Sequence, residues 1–161
     1  MHFVIKAEIA DPRAKVFAFA ARKTMYGGKT IAVGDEIFLF ASETSGGTGL
    51  IARGVVTKVE AVPPPLLRAR SDSVTRGTIR RSEAQADGGG GKPPRFTPRV
   101  SIEIRRTALA KRRLGRAELR PFRGVDDGSA PAELDFKFYR QATDKIGGIS
   151  EKAARWLGRF F

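Results

Sequence analysis

The sequence predicts an α+β domain, a sheet flanked by helices and interrupted by a basic, glycine-rich insertion. Three observations carry this. Apolar residues alternate or run together near the N-terminus, around residues 36–62 and around residues 99–106, as strands require. Asp11–Pro12 and Ser150–Glu151 carry helix-start signals. From about Arg68 to Pro98 the chain turns polar and basic, with DGGGGKPP at 87–94, and reads as a flexible insertion.

The elements follow in order. Phe3–Ile9 alternates as a strand. Asp11 is then placed to cap a helix, with Pro12 at its first position. That helix is expected to reach about Arg22 and to bury Val16, Phe17 and Ala20 or Ala21. Val33–Gly34–Asp35 is a turn into the strand Glu36–Ala41, whose nearly continuous apolar run implies cover on both faces. A polar loop, SETSGGTG, leads to the long strand Leu50–Val62, in which Gly54 marks a bulge or bend of the kind small barrels need.

Pro63–Pro64–Pro65 ends that strand. Beyond the insertion, Val100, Ile102 and Ile104 put one face of Arg99–Arg106 in the core. Thr107–Phe122 is helix-compatible but broken by Gly115, and residues 124–133 read as a loop. Asp135–Arg140 reads as a short strand or extended segment, in which Phe138, Tyr139 and Arg140 form an aromatic-basic cluster. The final helix places Ala153, Trp156, Leu157 and Phe160 on one apolar face, with Glu151 favourably placed in its first turn.

Composition narrows the function. The 161 residues fit one domain, and the 41% hydrophobic content suffices for a core. No apolar run is long enough to span a membrane. The N-terminus reads as a strand rather than a signal peptide, so a cytoplasmic protein is expected. The absence of cysteine excludes disulfides, thiolate metal sites and cysteine nucleophiles. The single histidine, His2, is expected to fray with the terminus. No carboxylates cluster at metal-ligand spacing, so neither metal nor cofactor is expected, and Asp126–Asp127 reads as a turn.

The net charge of +13 favours an acidic partner, RNA or DNA first. The excess is local: residues 1–67 carry +2, residues 68–123 carry +11, and residues 124–161 are neutral. Lys111–Arg112–Arg113 is the densest run.

Gly27–Gly28–Lys29–Thr30 looks like the end of a phosphate-binding loop, but the pattern fails. Its first glycine would fall at position 23, which is Lys23, and a turn and strand follow where a helix is required.

The residues around it say more. GDEIFLFASE, a glycine-containing loop and GLIARGVVTKVEAV form a Gly-Asp turn, a strand, a return loop and a second strand. With the opening strand and the C-terminal FKFYRQATDKIGGISEKAARWLGRFF, this resembles the PUA-like superfamily, and within it the EVE and ASCH domains. The resemblance covers residues 3–62 and 99–161 and leaves 68–98 outside. Phe17 and Phe19 stand where EVE domains tend to have a Trp, and the only Trp is Trp156.

The resemblance implies a small mixed barrel that binds RNA or DNA, and a pocket that accepts a flipped, modified base. Such a base must be re-stacked on an aromatic face and hydrogen-bonded on its edge. The pocket is expected between the first helix and the strand after Gly34. Its candidates are Arg22, Lys23, Thr24, Tyr26, Phe40 and Ser42. Lys29, Arg105, Arg106, Lys111, Arg112, Arg113 and Arg116 are the phosphate-contact candidates, with Arg76, Arg80 and Arg81 of the insertion beside them. Two alternatives stand beside this reading. One is a scaffold that binds RNA or an acidic protein through the basic segment. The other is an ASCH-like hydrolase of a modified nucleoside, for which Lys29 and Glu36 are the candidates. The residue inventory favours binding over catalysis.

Overall fold

A computed structural model describes residues 1–62, 99–139 and 144–161. The insertion at 68–98, with Arg76, Arg80 and Arg81, and Arg140 of the aromatic-basic cluster therefore lie outside the described residues.

Six strands close into a barrel: β1 (His2–Ala7), β2 (Val16–Met25), β3 (Glu36–Ala41), β4 (Gly49–Val62), β5 (Arg99–Leu109) and β6 (Lys145–Ile149). Around the ring their order is β1-β3-β4-β5-β2-β6. The barrel is mixed: β1 runs parallel to β3 and β2 parallel to β6, and the other pairings are antiparallel. Three short helices cover one outer wall: α1 (Arg116–Leu119), α2 (Ala130–Leu134) and α3 (Glu151–Gly158). Among the described residues no helix is long and apolar enough to cross a membrane.

Strand alternation creates two cores. Phe3, Ile5, Ile37, Leu39, Ile102, Ile104 and Ile146 point into the barrel. Val4, Phe38 and Phe40, on the opposite faces of β1 and β3, pack outward against Leu114, Leu119, Leu134, Ala153 and Leu157. This is why Glu36–Ala41 reads as continuously apolar. The ladder shifts register at Arg53/Gly54, where a bulge was expected. Ser150 caps α3 by accepting from the Ala153 amide at 3.1 Å. Trp156 is half-buried and stacks edge-on against Phe160 at 5.0 Å.

Several local expectations are corrected. The helix expected over Asp11–Arg22 is a turn followed by β2. Asp11 caps its own turn, accepting from the Arg13 amide at 3.0 Å, so Pro12 starts no helix. The two-residue period then prevails: Phe17 and Phe19 turn inward while Val16 and Ala18 face out. β1 begins at His2, whose Nδ1 lies 2.9 Å from Glu36 Oε2, so the terminus is held rather than frayed.

Downstream, β5 runs on to Leu109, and the helix-compatible stretch shrinks to α1 and a 3₁₀ turn, Arg120–Phe122. Within the expected loop, Ser129 caps α2. Asp135–Tyr139 is a π-helical turn continuing α2, not an extended segment. The sixth strand is KIGGI. Glycine is needed there because a Cβ at Gly148 would sit 2.4 Å from the Tyr26 carbonyl oxygen.

A candidate nucleic-acid interface

The β3–β4 loop and the segment after β5 meet at one end of the outer wall. The Leu50 amide donates to the Leu114 carbonyl at 2.8 Å, and Leu114 is itself sunk in the outer core. Both carboxylate oxygens of Glu43 accept from the Arg116 backbone amide, at 3.0 and 3.2 Å. Gly115 permits this approach, since a Cβ there would lie 2.0 Å from Glu43 Oε1.

This docking leaves a cavity of 970 Å³ lined by Glu43, Gly47, Arg113, Arg116, Ala117, Arg120, Arg123 and Asp135. All four arginines are exposed, and Asp135 is buried in the wall. Arg113 Nε lies 3.6 Å from Glu118 Oε1. The side chains of Arg116, Arg120 and Arg123 form no ion pair among the described residues. Four guanidinium groups in one open cleft, three of them outside any ion pair among the described residues, suit phosphate, which each can grip through two parallel N–H donors.

Lys6 belongs to the same electrostatic neighbourhood. On β1 it shares the outward face with Val4 and is half-buried. Burial lowers the pKa of its ammonium, the charge of Arg116 lowers it further, and Glu43 partly offsets both.

The phosphate-contact candidates divide. Arg113 and Arg116 line the cleft. Arg105 is exposed on β5, and Arg106 donates through Nη1 to the Arg13 carbonyl. Lys111 and Arg112 are exposed, anchored by backbone amides that donate to the Phe160 carbonyl. Lys29 is exposed in a 3₁₀ turn, whereas Glu36 is engaged by His2 and, at 3.7 Å, by Arg53.

The six base-pocket candidates do not converge where they were expected. With no helix at 11–22, four of them belong to β2 and its end, and two to β3 and its end. Those strands lie three steps apart around the ring in either direction. Arg22 pairs with Asp144 at 2.7 Å and lies over the Phe19 ring. Lys23 is exposed, Thr24 is half-buried, and Tyr26 is exposed just past β2. Phe40 is fully buried in the outer core. Ser42 is 2% exposed and its Oγ lies 2.8 Å from Thr44 Oγ1.

Arg120 and Arg123 were missed. The signal was present: in RLGRAELRPFR, arginines at 113, 116, 120 and 123 recur every three or four residues, the period of one helical face.

A closed mixed barrel with short helices on its outer wall is the architecture expected of a PUA-like domain. No protein-family model and no curated protein matches the sequence. Solved structures do match in fold. Human thymocyte nuclear protein 1 (THYN1), through its DUF55 domain, superposes with a TM-score of 0.56 at 14% identity, over 98% of this chain and 96% of that one. A second structure of human THYN1 holds DNA containing 5-methylcytosine. A hypothetical protein from Leishmania major gives 0.53 at 14% identity, over 98% and 92%. A Rhodopseudomonas palustris protein solved by NMR gives 0.52 at 12%, over 99% and 91%. The chain therefore shares the fold of these structures, the PUA-like fold that its sequence resembles.

Proposed function

We propose that this protein is a nucleic-acid-binding module that grips phosphate in the arginine cleft and reads a modified base at the same end of the barrel. One observation carries the reading: four arginines line a single open cavity, three of them without an ion pair among the described residues. The charge of +13 and the DNA-bound state of the THYN1 structure support it. Phosphate contacts supply affinity and orientation, and a base lifted out of its stack supplies selectivity.

The test is a titration of the full chain against short single- and double-stranded RNA and DNA, with and without modified bases, at two salt concentrations. Binding that weakens with salt, yet keeps a preference for one modification at the higher concentration, supports both parts. Equal, salt-labile binding to every oligomer removes the base reader and leaves the cleft. No binding at low salt removes nucleic acid altogether.

A further inference from the structure

A second cavity, of 460 Å³, backs onto the arginine cleft. Phe122, Val125, Asp126, Glu133, Asp135 and Phe136 are among its lining residues. Asp135 lines both cavities. Phe122 lines the second and closes the 3₁₀ turn that Arg120 opens, next to Arg123 of the first. The two sites thus share one narrow ridge.

Their chemistry is opposite. The second cavity is edged by carboxylates, which repel phosphate, and by exposed apolar side chains: Phe136 is 51% and Val125 40% exposed. Tyr26, 41% exposed, extends this apolar surface, its ring 6.5 Å from that of Phe136 and inclined by 51°. The surface is held in place. Tyr26 adopts a left-handed backbone at φ 49°, and Lys137 Nζ lies 5.2 Å from its ring centroid. Lys137 in turn is fixed by Glu133 at 2.9 Å and the Gly148 carbonyl at 3.3 Å.

The carboxylates are not equally available. Glu133 accepts from the amide and hydroxyl of Ser150 as well as from Lys137. Asp126 makes no hydrogen bond or ion pair among the described residues, and it is exposed at the cavity edge. A flat, neutral ring bearing an exocyclic amine satisfies both features: its face covers Phe136 and its amine donates to Asp126.

Building on the nucleic-acid reading above, we propose that one strand crosses the shared ridge, its phosphate among the arginines and the adjacent base stacked on Phe136. That base carries an exocyclic amine, as cytosine does and thymine does not. Stacking supplies affinity, and the Asp126 carboxylate supplies the preference.

Fluorescence anisotropy with labelled single strands of about ten nucleotides, oligo-dC against oligo-dT, tests this at fixed salt. Two pyrimidines keep intrinsic stacking comparable. The wild type is expected to favour dC. Phe136→Ala and Phe136→Leu each weaken binding by about fivefold or more, the loss expected for one stacked base. Phe136→Leu retains apolar area, so its loss isolates the ring. Asp126→Ala brings dC down to the dT affinity. Wild-type binding that Phe136→Ala leaves unchanged overturns the stacking site. Equal wild-type affinity for dC and dT overturns the role of Asp126. Failure of the wild type to bind either strand strikes instead at the nucleic-acid reading.

Discussion

Both faces of β1 and β3 are buried, but by different means. On the inner face the strands close on themselves, and most of the core around Phe3, Ile5, Ile37 and Leu39 is supplied by residues that the ladder places. On the outer face the cover comes from helices of four, five and eight residues, too short to be stable alone. They are held by a few apolar anchors and by single polar contacts such as Glu133 with Ser150. The barrel is a frame defined by repetition. The shell that carries the arginines is an attachment defined by particular pairs.

The largest expected effect lies in the frame. Phe3 is fully buried in the barrel, so Phe3→Ala should cost about 3–5 kcal/mol, read as a lower urea midpoint. Leu119 is equally buried but anchors only the shell, and Leu119→Ala should cost about 2–5 kcal/mol. The comparison sharpens through native-state hydrogen exchange. With Leu119→Ala, amides of α1 and α2 should open at a lower free energy than those of β3 and β4. Equal opening energies in both regions would show one cooperative unit and end the distinction.

The same contrast explains what the sequence reveals. Strand β5 is legible because Val100, Ile102 and Ile104 repeat at period two, and β3 because its apolar run is nearly continuous between turn signals. β2 was misread because Asp11–Pro12 resembles a helix start, and only the alternation of Phe17 and Phe19 argues otherwise. β6 is hidden by Gly147 and Gly148, of which Gly148 is needed for close backbone packing against Tyr26. The cleft was half legible. Lys111–Arg113 drew attention as a dense run, while Arg120 and Arg123 were spread at helical spacing. The partnership of Glu43 with the Arg116 amide spans 73 positions, and no local pattern encodes it.

A smaller effect probes one of the shell's particular pairs. Burial tends to raise the pKa of Glu133, but hydrogen bonds from the Ser150 hydroxyl and amide, then Lys137, outweigh it and hold the carboxyl below its usual range. A depressed carboxyl stabilises the fold above its unfolded value of about 4.3, and the contribution is lost as pH falls through the lower folded value. Glu133→Gln should therefore cost about 1.5 kcal/mol at neutral pH, the lower end for a charged hydrogen bond. The gap between wild type and variant should close below about pH 4. A gap that stays constant down to acid pH would mean that the charge of Glu133 contributes nothing.

The smallest effect on stability should come from the cleft itself, and that is its value. Arg120 and Arg123 are exposed and unpaired among the described residues, so the double change Arg120→Ala/Arg123→Ala should shift stability by less than about 0.5 kcal/mol per site. If the two side chains meet phosphates, the slope of log affinity against log salt should fall by about 2, one for each contact removed. Arg105→Ala, on the exposed face of β5 away from the cleft lining, is the control for general positive charge, compared per charge removed. A full-sized loss from Arg105→Ala would mean that net charge alone drives binding. Loss confined to the cleft pair, with the urea midpoint unchanged, separates recognition from folding on the shell.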